Sequence, residues 1–350
     1  MTLPNLPALT ALRQALVRLS AGHSLSEREA EAAFTEIMSG EAPPASVGGL
    51  LLAMRTRGET PAEIAGAVRA LRSAMRVVRS GNPERLVDTC GTGGGRITTL
   101  NLSTAAAFVA AGAGVAVAKH GNRSFTSRSG SADVLEALGV ALDLTPEAAA
   151  DVLASVGLVF LFAPAYHPAM RHVAPIRREL GVPTLLNLVG PLANPAGAIR
   201  QVVGVADPTR APIVAAALGR LGASHALVVH ADVGMDEISP VGNTSVWEIR
   251  DGAVSEWRLE PAKFGLEAKS LAGLEGGEPA ENAAKIEGLL RRPSAAAPAL
   301  RAAVLLNAAA AAYVSGAALE WDGAVAAATT ALDSGAAAAR LDMIRRLAGR

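Results

Sequence analysis

The hydrophobic pattern of this chain changes at Pro83, and the change sets what it can fold into. From residue 7 to about 76 only helical periodicity is present. After Pro83, short apolar runs alternate with helical stretches, the pattern of β-α units packed around a sheet with helices on its faces. The chain therefore reads as an α/β protein with a small N-terminal helical domain, residues 1–80, and a larger α/β domain, residues 81–350. The larger domain is expected to have a mostly parallel central sheet flanked by helices.

The helical part carries its own start and stop signals. Ser26 with Glu29, and Thr60-Pro61 with Glu63, are capping boxes, the second with Pro at the first helical position. Gly40, Gly58 and Gly81 punctuate the ends, predicting helices over 7–20, 27–39, 44–56 and 61–76. In the larger part, strands are expected at 85–89, 115–118, 158–162, 201–205 and 225–229. Helices are expected at 102–112, 130–138, 146–156, 168–180 and 210–221. Arg250-Asp251-Gly252 between alternating runs predicts a peripheral hairpin, 244–249 with 253–259. The Ala-rich end predicts helices over 281–291, 297–314 and 322–346, alanine being the strongest helix former.

Lys plus Arg and Asp plus Glu are both 32, so no overall positive field recommends nucleic acid or an anionic membrane as a partner. Cys90 is the only cysteine, which leaves no intrachain disulfide and no cysteine-based metal cluster. No basic-then-apolar leader opens the sequence, and a cytoplasmic setting is expected. The longest apolar runs, such as 102 to 118, are broken by Gly, Ser or Thr, so no membrane-spanning helix is expected.

Chemistry concentrates between Asp88 and Ser131. The segment Gly91-Thr92-Gly93-Gly94-Gly95 follows an apolar run and precedes Asn101, Ser103 and Thr104, where a helix should begin. Glycines let backbone N–H groups approach an oxyanion, and a helix N-terminus adds unpaired donors. No Gly-Lys-Ser/Thr follows, and the spacing reaches Arg96 and Thr98, so neither common nucleotide loop is matched. A tight strand-to-helix turn is the plainer reading, and Asn101 to Thr104 would by themselves make an N-cap.

Lys119-His120-Gly121-Asn122-Arg123 sits at another strand's carboxyl end, where open α/β sheets place their ligands. With Ser124, Thr126, Ser127, Arg128 and Ser131 it offers dense donors for phosphate oxygens, or else a solvated basic loop. The segment from His167 to Arg177 would place 167, 171 and 174 on one helical face. His167 and His172, five apart, make poor metal geometry on a helix. Asp236-Glu237 follows the run His225 to His230, and a cation beside the pair would relieve the repulsion of adjacent carboxylates. An exposed acidic loop fits that pair equally well on its own.

Taken together, DTCGTGG, NLSTAAAFVAAGAGVAVAKHGNRSFTSRSGSADVLEALG, HPAMRHVAPIRRELGVPTLLNLVGPLANP and GMDEIS resemble the anthranilate phosphoribosyltransferase family, in its order and over most of 10–345. The resemblance implies a fold similar to the pyrimidine nucleoside phosphorylases, a homodimer, and part of 168–195 packing with the helical domain. It implies that 5-phosphoribosyl 1-diphosphate (PRPP) is bound by Gly91, Gly94, Gly95, Thr99, Asn101, Leu102, Ser103, Thr104, Lys119, His120, Gly121, Asn122, Arg123, Ser124, Phe125, Thr126, Ser127 and Ser131. Ser103, Asp236 and Glu237 become Mg²⁺ ligands, and Gly91, Asn122 and Arg177 fall beside anthranilate. His120, His167, Gly190 and Pro191 match pocket-lining positions.

The family pattern GTGGD-G departs here to Gly95-Arg96, which bears on substrate affinity and metal dependence, and Pro183 stands where the family often has Arg. The implied reaction is attack of the anthranilate amine on ribose C1 with loss of diphosphate. Lys119 and Arg123 would act electrostatically and by positioning, without a covalent nucleophile. The rival readings are a nucleoside phosphorylase of the same fold and a non-catalytic relative that binds nucleic acid. The carboxylate pair disfavours the first, and the balanced charge disfavours the second.

Overall fold

The computed structural model describes residues 10–95, 97–124 and 128–348. The chain divides into two compact units, one running up to Met75 with His167–Ala193, the other Arg76–Tyr166 with Asn194 onward.

The first unit is helical: α1 (Ala11–Ser20), α2 (Glu27–Ser39), α3 (Pro44–Arg57) and α4 (Pro61–Ser73). Both expected capping boxes form: Ser26 Oγ accepts from Glu29 N, Thr60 Oγ1 accepts from Glu63 N, and each glutamate accepts from its cap's N–H. Glu63 is fully buried, and accepts from Leu25 N at 2.9 Å and from the guanidinium of Arg57. Helix α4 ends at Ser73 rather than 76. Arg76 N instead donates to Tyr166 O and Val78 N to Pro195 O, which binds this stretch to the α/β unit.

The second unit contains β1 (Leu86–Gly91), α5 (Leu102–Gly112), β2 (Ala116–Gly121), α6 (Ser131–Ala137), α7 (Pro146–Val156), β3 (Leu158–Phe162) and α8 (Ala163–Tyr166). The chain then contributes α9 (Ala174–Leu180) and α10 (Leu186–Val189) to the helical unit. It returns for β4 (Arg200–Gly204), α11 (Ala211–Arg220), β5 (His225–Ala231), β6 (Thr244–Arg250), β7 (Ala253–Leu259), α12 (Pro279–Arg291), α13 (Pro298–Ser315), α14 (Trp321–Asp333) and α15 (Ala336–Ala348). One sheet runs β3-β2-β1-β4-β5-β6-β7. Strands β1 to β5 are parallel, and the expected hairpin β6–β7 is added antiparallel, with β7 at the edge.

Two expected helices are broken. Residues 168–180 form a 3-10 turn, Pro168–His172, followed by α9, because Pro175 has no N–H to return to Arg171. The common face expected for 167, 171 and 174 is therefore absent. Residues 322–346 divide into α14 and α15 at Gly335, whose φ of 80° is a left-handed conformation that ends a helix. Helix α13 is long and apolar enough to cross a membrane by length and composition, but nearly all of its side chains are buried in the core of this unit.

The strand order places the site. From β1 the chain winds outward through β2 to β3, whereas β4 starts on the other side of β1 and winds outward through β5. The order therefore reverses between β1 and β4, and the crevice at the carboxyl ends of those strands is where open α/β sheets bind ligands. Gly91 and Gly204 pair at that end.

Candidate active site

Asp236 enters this crevice from the loop after β5. The loop has little freedom: Met235 and Ile238, on either side of the acidic pair, are buried at 1% and 0% exposure. Asn307 on α13 accepts from Ile238 N at 3.1 Å and donates to Ile238 O at 2.8 Å. Gly204 makes room, since a Cβ there would lie 1.6 Å from Asp236 O. A Cβ on Gly91 or Gly95 would come within 3.1 or 3.2 Å of the Asp236 carboxylate. Gly93 N donates to Asp236 Oδ2 at 3.0 Å. The glycine loop thus holds a protein carboxylate, a task its sequence alone did not reveal.

Glu237 faces the start of α5. Its carboxylate accepts from Ser103 N at 3.0 Å and from Thr99 Oγ1 at 3.1 Å. Asn101 is the N-cap residue but makes no side-chain cap, so Glu237 supplies an acceptor that the cap residue does not. Burial, and then the neighbouring Asp236, push the Glu237 carboxyl up to about 8. Burial also raises Asp236.

Lys119, at the end of β2, is 3% exposed. Its ammonium donates to Thr89 O and, at 3.2 Å, to Ser103 Oγ. Burial lowers its pKa, opposed by Asp88, Cys90 and Glu237. Asp88, fully buried on β1, accepts from Asn194 Nδ2 at 2.8 Å and from His120 N at 3.0 Å, and burial raises its carboxyl to about 6. Burial pushes the Cys90 thiol well up, as suits a packing residue. Thr89, Cys90, Ser103, Asp236, Glu237 and Asn307 all line one small cavity.

The other expected site residues fall into distinct settings. Leu102 and Thr104 are buried at 0% and 1% exposure, and Leu102 N donates to Leu100 O. The Thr104 hydroxyl has no hydrogen-bond partner among the described residues. His120 is buried at the end of β2, beside Gly121. Asn122 O accepts from Ala132 N and Ser131 Oγ, which fastens the loop to the start of α6. Ser124 N donates to Asp133 Oδ2 at 3.3 Å.

Arg123 is exposed on the loop after β2. Its guanidinium pairs with Asp133 at 2.8 Å and Glu136 at 2.9 Å and lies over the Phe162 ring, so its charge is already engaged on α6. Arg177 on α9, His167, Gly190 and Pro191 belong to the helical unit. Burial lowers the Arg177 pKa and brings His167 down to about 4. Arg96, Phe125, Thr126 and Ser127 lie outside the described residues.

Among the described residues no cluster of three or more His, Cys, Asp or Glu side chains forms a metal cage. The donor set of two adjacent carboxylates and the Ser103 hydroxyl is all oxygen. Both carboxylates are held above their ordinary range, and the nearby Lys119 ammonium bonds Ser103 instead of either of them. Such a set suits a hard divalent cation that shares its remaining positions with ligand oxygens.

The α/β-domain model of the glycosyl transferase family matches residues 83–338, and that family's helical bundle domain model matches residues 13–75. The anthranilate phosphoribosyltransferase of Rubrobacter xylanophilus is 50% identical over 97% of this chain and 99% of its own. That of Symbiobacterium thermophilum is 48% identical over 97% and 98%. Among solved structures, the anthranilate phosphoribosyltransferase of Thermus thermophilus is similar with a TM-score of 0.91 at 44% identity, covering 98% of this chain and 100% of that one. The Saccharomyces cerevisiae enzyme in complex with PRPP and Mg is similar with a TM-score of 0.87 at 29% identity, covering 96% and 97%.

Proposed function

Because this chain belongs to the anthranilate phosphoribosyltransferases of the glycosyl transferase family, we propose that its buried carboxylate pair, glycine loop and α5 terminus form the half of the active site that takes PRPP. The enzyme transfers the phosphoribosyl group of PRPP to the amine of anthranilate, giving N-(5-phosphoribosyl)anthranilate and diphosphate. The nitrogen–C1 bond forms as the bond from C1 to the diphosphate oxygen breaks, and the amine gives up a proton to solvent. No covalent nucleophile is needed, in keeping with a Cys90 thiol held protonated by burial.

The observation that carries the reading is Asp236-Glu237, buried at the β1/β4 switch point against Gly93 N and Ser103 N. A phosphorylase handling inorganic phosphate has no use for two uncompensated carboxylates there. We assign Asp236, Glu237 and Ser103 to Mg²⁺, which when bound offsets charge on the diphosphate. Lys119 and the glycine-loop amides add fixed positive potential on the leaving group's side. Arg123, already paired with Asp133 and Glu136, is assigned to positioning its loop. Asn122 and Arg177 are assigned to anthranilate, Arg177 to its carboxylate, for which the planar guanidinium is suited. The same resemblance supports a homodimer acting in the cytoplasm.

Anthranilate fluorescence should fall on addition of PRPP only when Mg²⁺ is present. Consumption of a nucleoside with inorganic phosphate, and no loss of fluorescence, would overturn the reading. Arg177→Ala should raise KM for anthranilate roughly 10-fold or more, the loss of one charge-assisted bond. An unchanged KM would remove Arg177 from the acceptor site.

A further inference from the structure

The polar contacts of Asn101 lead out of the site to a segment with no role so far. Residues 274–277 lie along 98–100: Leu100 N donates to Leu274 O at 2.8 Å, Gly276 N donates to Thr98 O at 3.2 Å, and Thr99 bridges Glu275 in antiparallel fashion. A Cβ on Gly276 would sit 2.5 Å from Thr99 O, so the two backbones are in direct contact. From this strap the chain enters α12, where Asn282 is 1% exposed.

Asn282 Oδ1 accepts from Gly277 N at 2.8 Å, and its Nδ2 donates to Asn101 Oδ1 at 3.1 Å. Asn101 in turn donates through Nδ2 to Ser129 O at 3.1 Å, and Ser129 Oγ donates back to Asn101 Oδ1 at 3.4 Å. One carboxamide thus joins the end of the glycine loop, the loop after β2 and the C-terminal strap. Asparagine in a helix is a poor helix former, and burying an amide costs free energy unless it is bonded. Capping does not explain its presence, since Glu278 and Glu281 form the capping box of α12. Beyond the bond it accepts from Gly277 N, what its amide group adds is the bond it donates to Asn101.

We propose that Asn282 is a positioning residue for phosphoribosyl transfer: it orients the Asn101 carboxamide and so sets the spacing of the two loops that hold PRPP. This rests on the assignment of those loops to PRPP made above. Asn282→Asp retains the acceptor for Gly277 N and removes the donor to Asn101. Its Kd for Mg²⁺-PRPP, by titration calorimetry, and its KM for PRPP should rise about 10-fold, as for one lost buried hydrogen bond, with kcat within about twofold. Asn282→Ser, which adds no charge, makes the same test if the Asp variant does not fold.

Asn101→Ala should weaken PRPP similarly, and the double variant should be no weaker than Asn101→Ala alone, because the two residues act in series. Additive losses, or an unchanged Kd in a destabilised Asn282 variant, would overturn the proposal. So would an unchanged Kd in Asn101→Ala, which removes Asn101 from the substrate site. Wild-type protein that binds PRPP but does not transfer to anthranilate would sink the acceptor assignment and leave this comparison of affinities intact.

Discussion

Glu237 and Glu248 are both buried in the α/β unit, at opposite ends of β5. Glu248, on β6, accepts from His225 Nε2 at 2.8 Å and Tyr313 Oη at 3.0 Å on one oxygen, and from Trp257 Nε1 at 2.8 Å on the other. Burial alone would raise its carboxyl, yet the bonds from His225, Trp257 and Tyr313 hold it below the ordinary range. Trp321 packs edge-on against Trp257, which closes the cluster in a chain with only 3% aromatic residues. Glu237 has two neutral donors and an acidic neighbour, and is held up near 8. Burial alone therefore does not mark a functional carboxylate. What separates the two is whether the fold supplies enough donors to carry the charge without a ligand.

Substitution should separate them further. The largest effect is expected at Glu237, where Glu237→Gln should cost at least about 100-fold in kcat/KM for PRPP, comparable to losing one preorganised electrostatic group. Thermal unfolding of the same variant should be unchanged or shifted upward, because the amide keeps the neutral form that burial already favours at this position and cannot ionise. Activity within tenfold of wild type would show that Glu237 is no more functional than Glu248. At the other end, Glu248→Ala strands two buried donors, His225 and Tyr313, and the half-buried Trp257, and should cost about 3–5 kcal/mol in urea titrations. Kinetic constants measured on the folded fraction should stay near wild type. A variant of normal stability with altered kinetics would break the comparison.

The parts of this molecule legible in its sequence are those governed by near neighbours. Helices 27–39, 102–112 and 146–156 and strand 158–162 lie where their periodicity and caps place them, and the carboxylate pair follows a strand as expected. Two helix breaks are not legible in the pattern, because Pro175 and Gly335 are single breakers set between strongly helical flanks. The polar residues that brace the site were missed for another reason. Asn194 acts on Asp88, Asn282 on Asn101 and Asn307 on Ile238, partners that periodicity cannot pair because folding alone brings them together. A signal existed in the last two cases: an asparagine inside an otherwise apolar or Ala-rich helix costs helix propensity and implies a bonded partner elsewhere.

Asp88 lies between the two carboxylates in its supply of donors, with two amide donors and the weak Cys90 thiol where Glu248 has three N–H and O–H donors. Asn194 Nδ2 and His120 N do not offset its burial, which raises the carboxyl from the ordinary 3.8 to about 6. The native state then holds the proton more tightly than the unfolded chain. The resulting contribution to stability is present below about pH 4 and is lost as pH rises through about 6, at most about 3 kcal/mol. Glu248 has the opposite sign: its lowered pKa contributes above the ordinary 4.5 and is lost as pH falls through its folded-state value. Urea midpoints between pH 4 and 7 would distinguish them. Asp88→Asn should gain stability relative to wild type as pH rises across that range, whatever its constant offset from the lost acceptor. A difference that stays flat with pH would mean that the Asn194 and His120 donors, with the Cys90 thiol and the nearby Lys119 ammonium, already carry the charge, so that fewer strong donors than those of Glu248 suffice for a structural carboxylate.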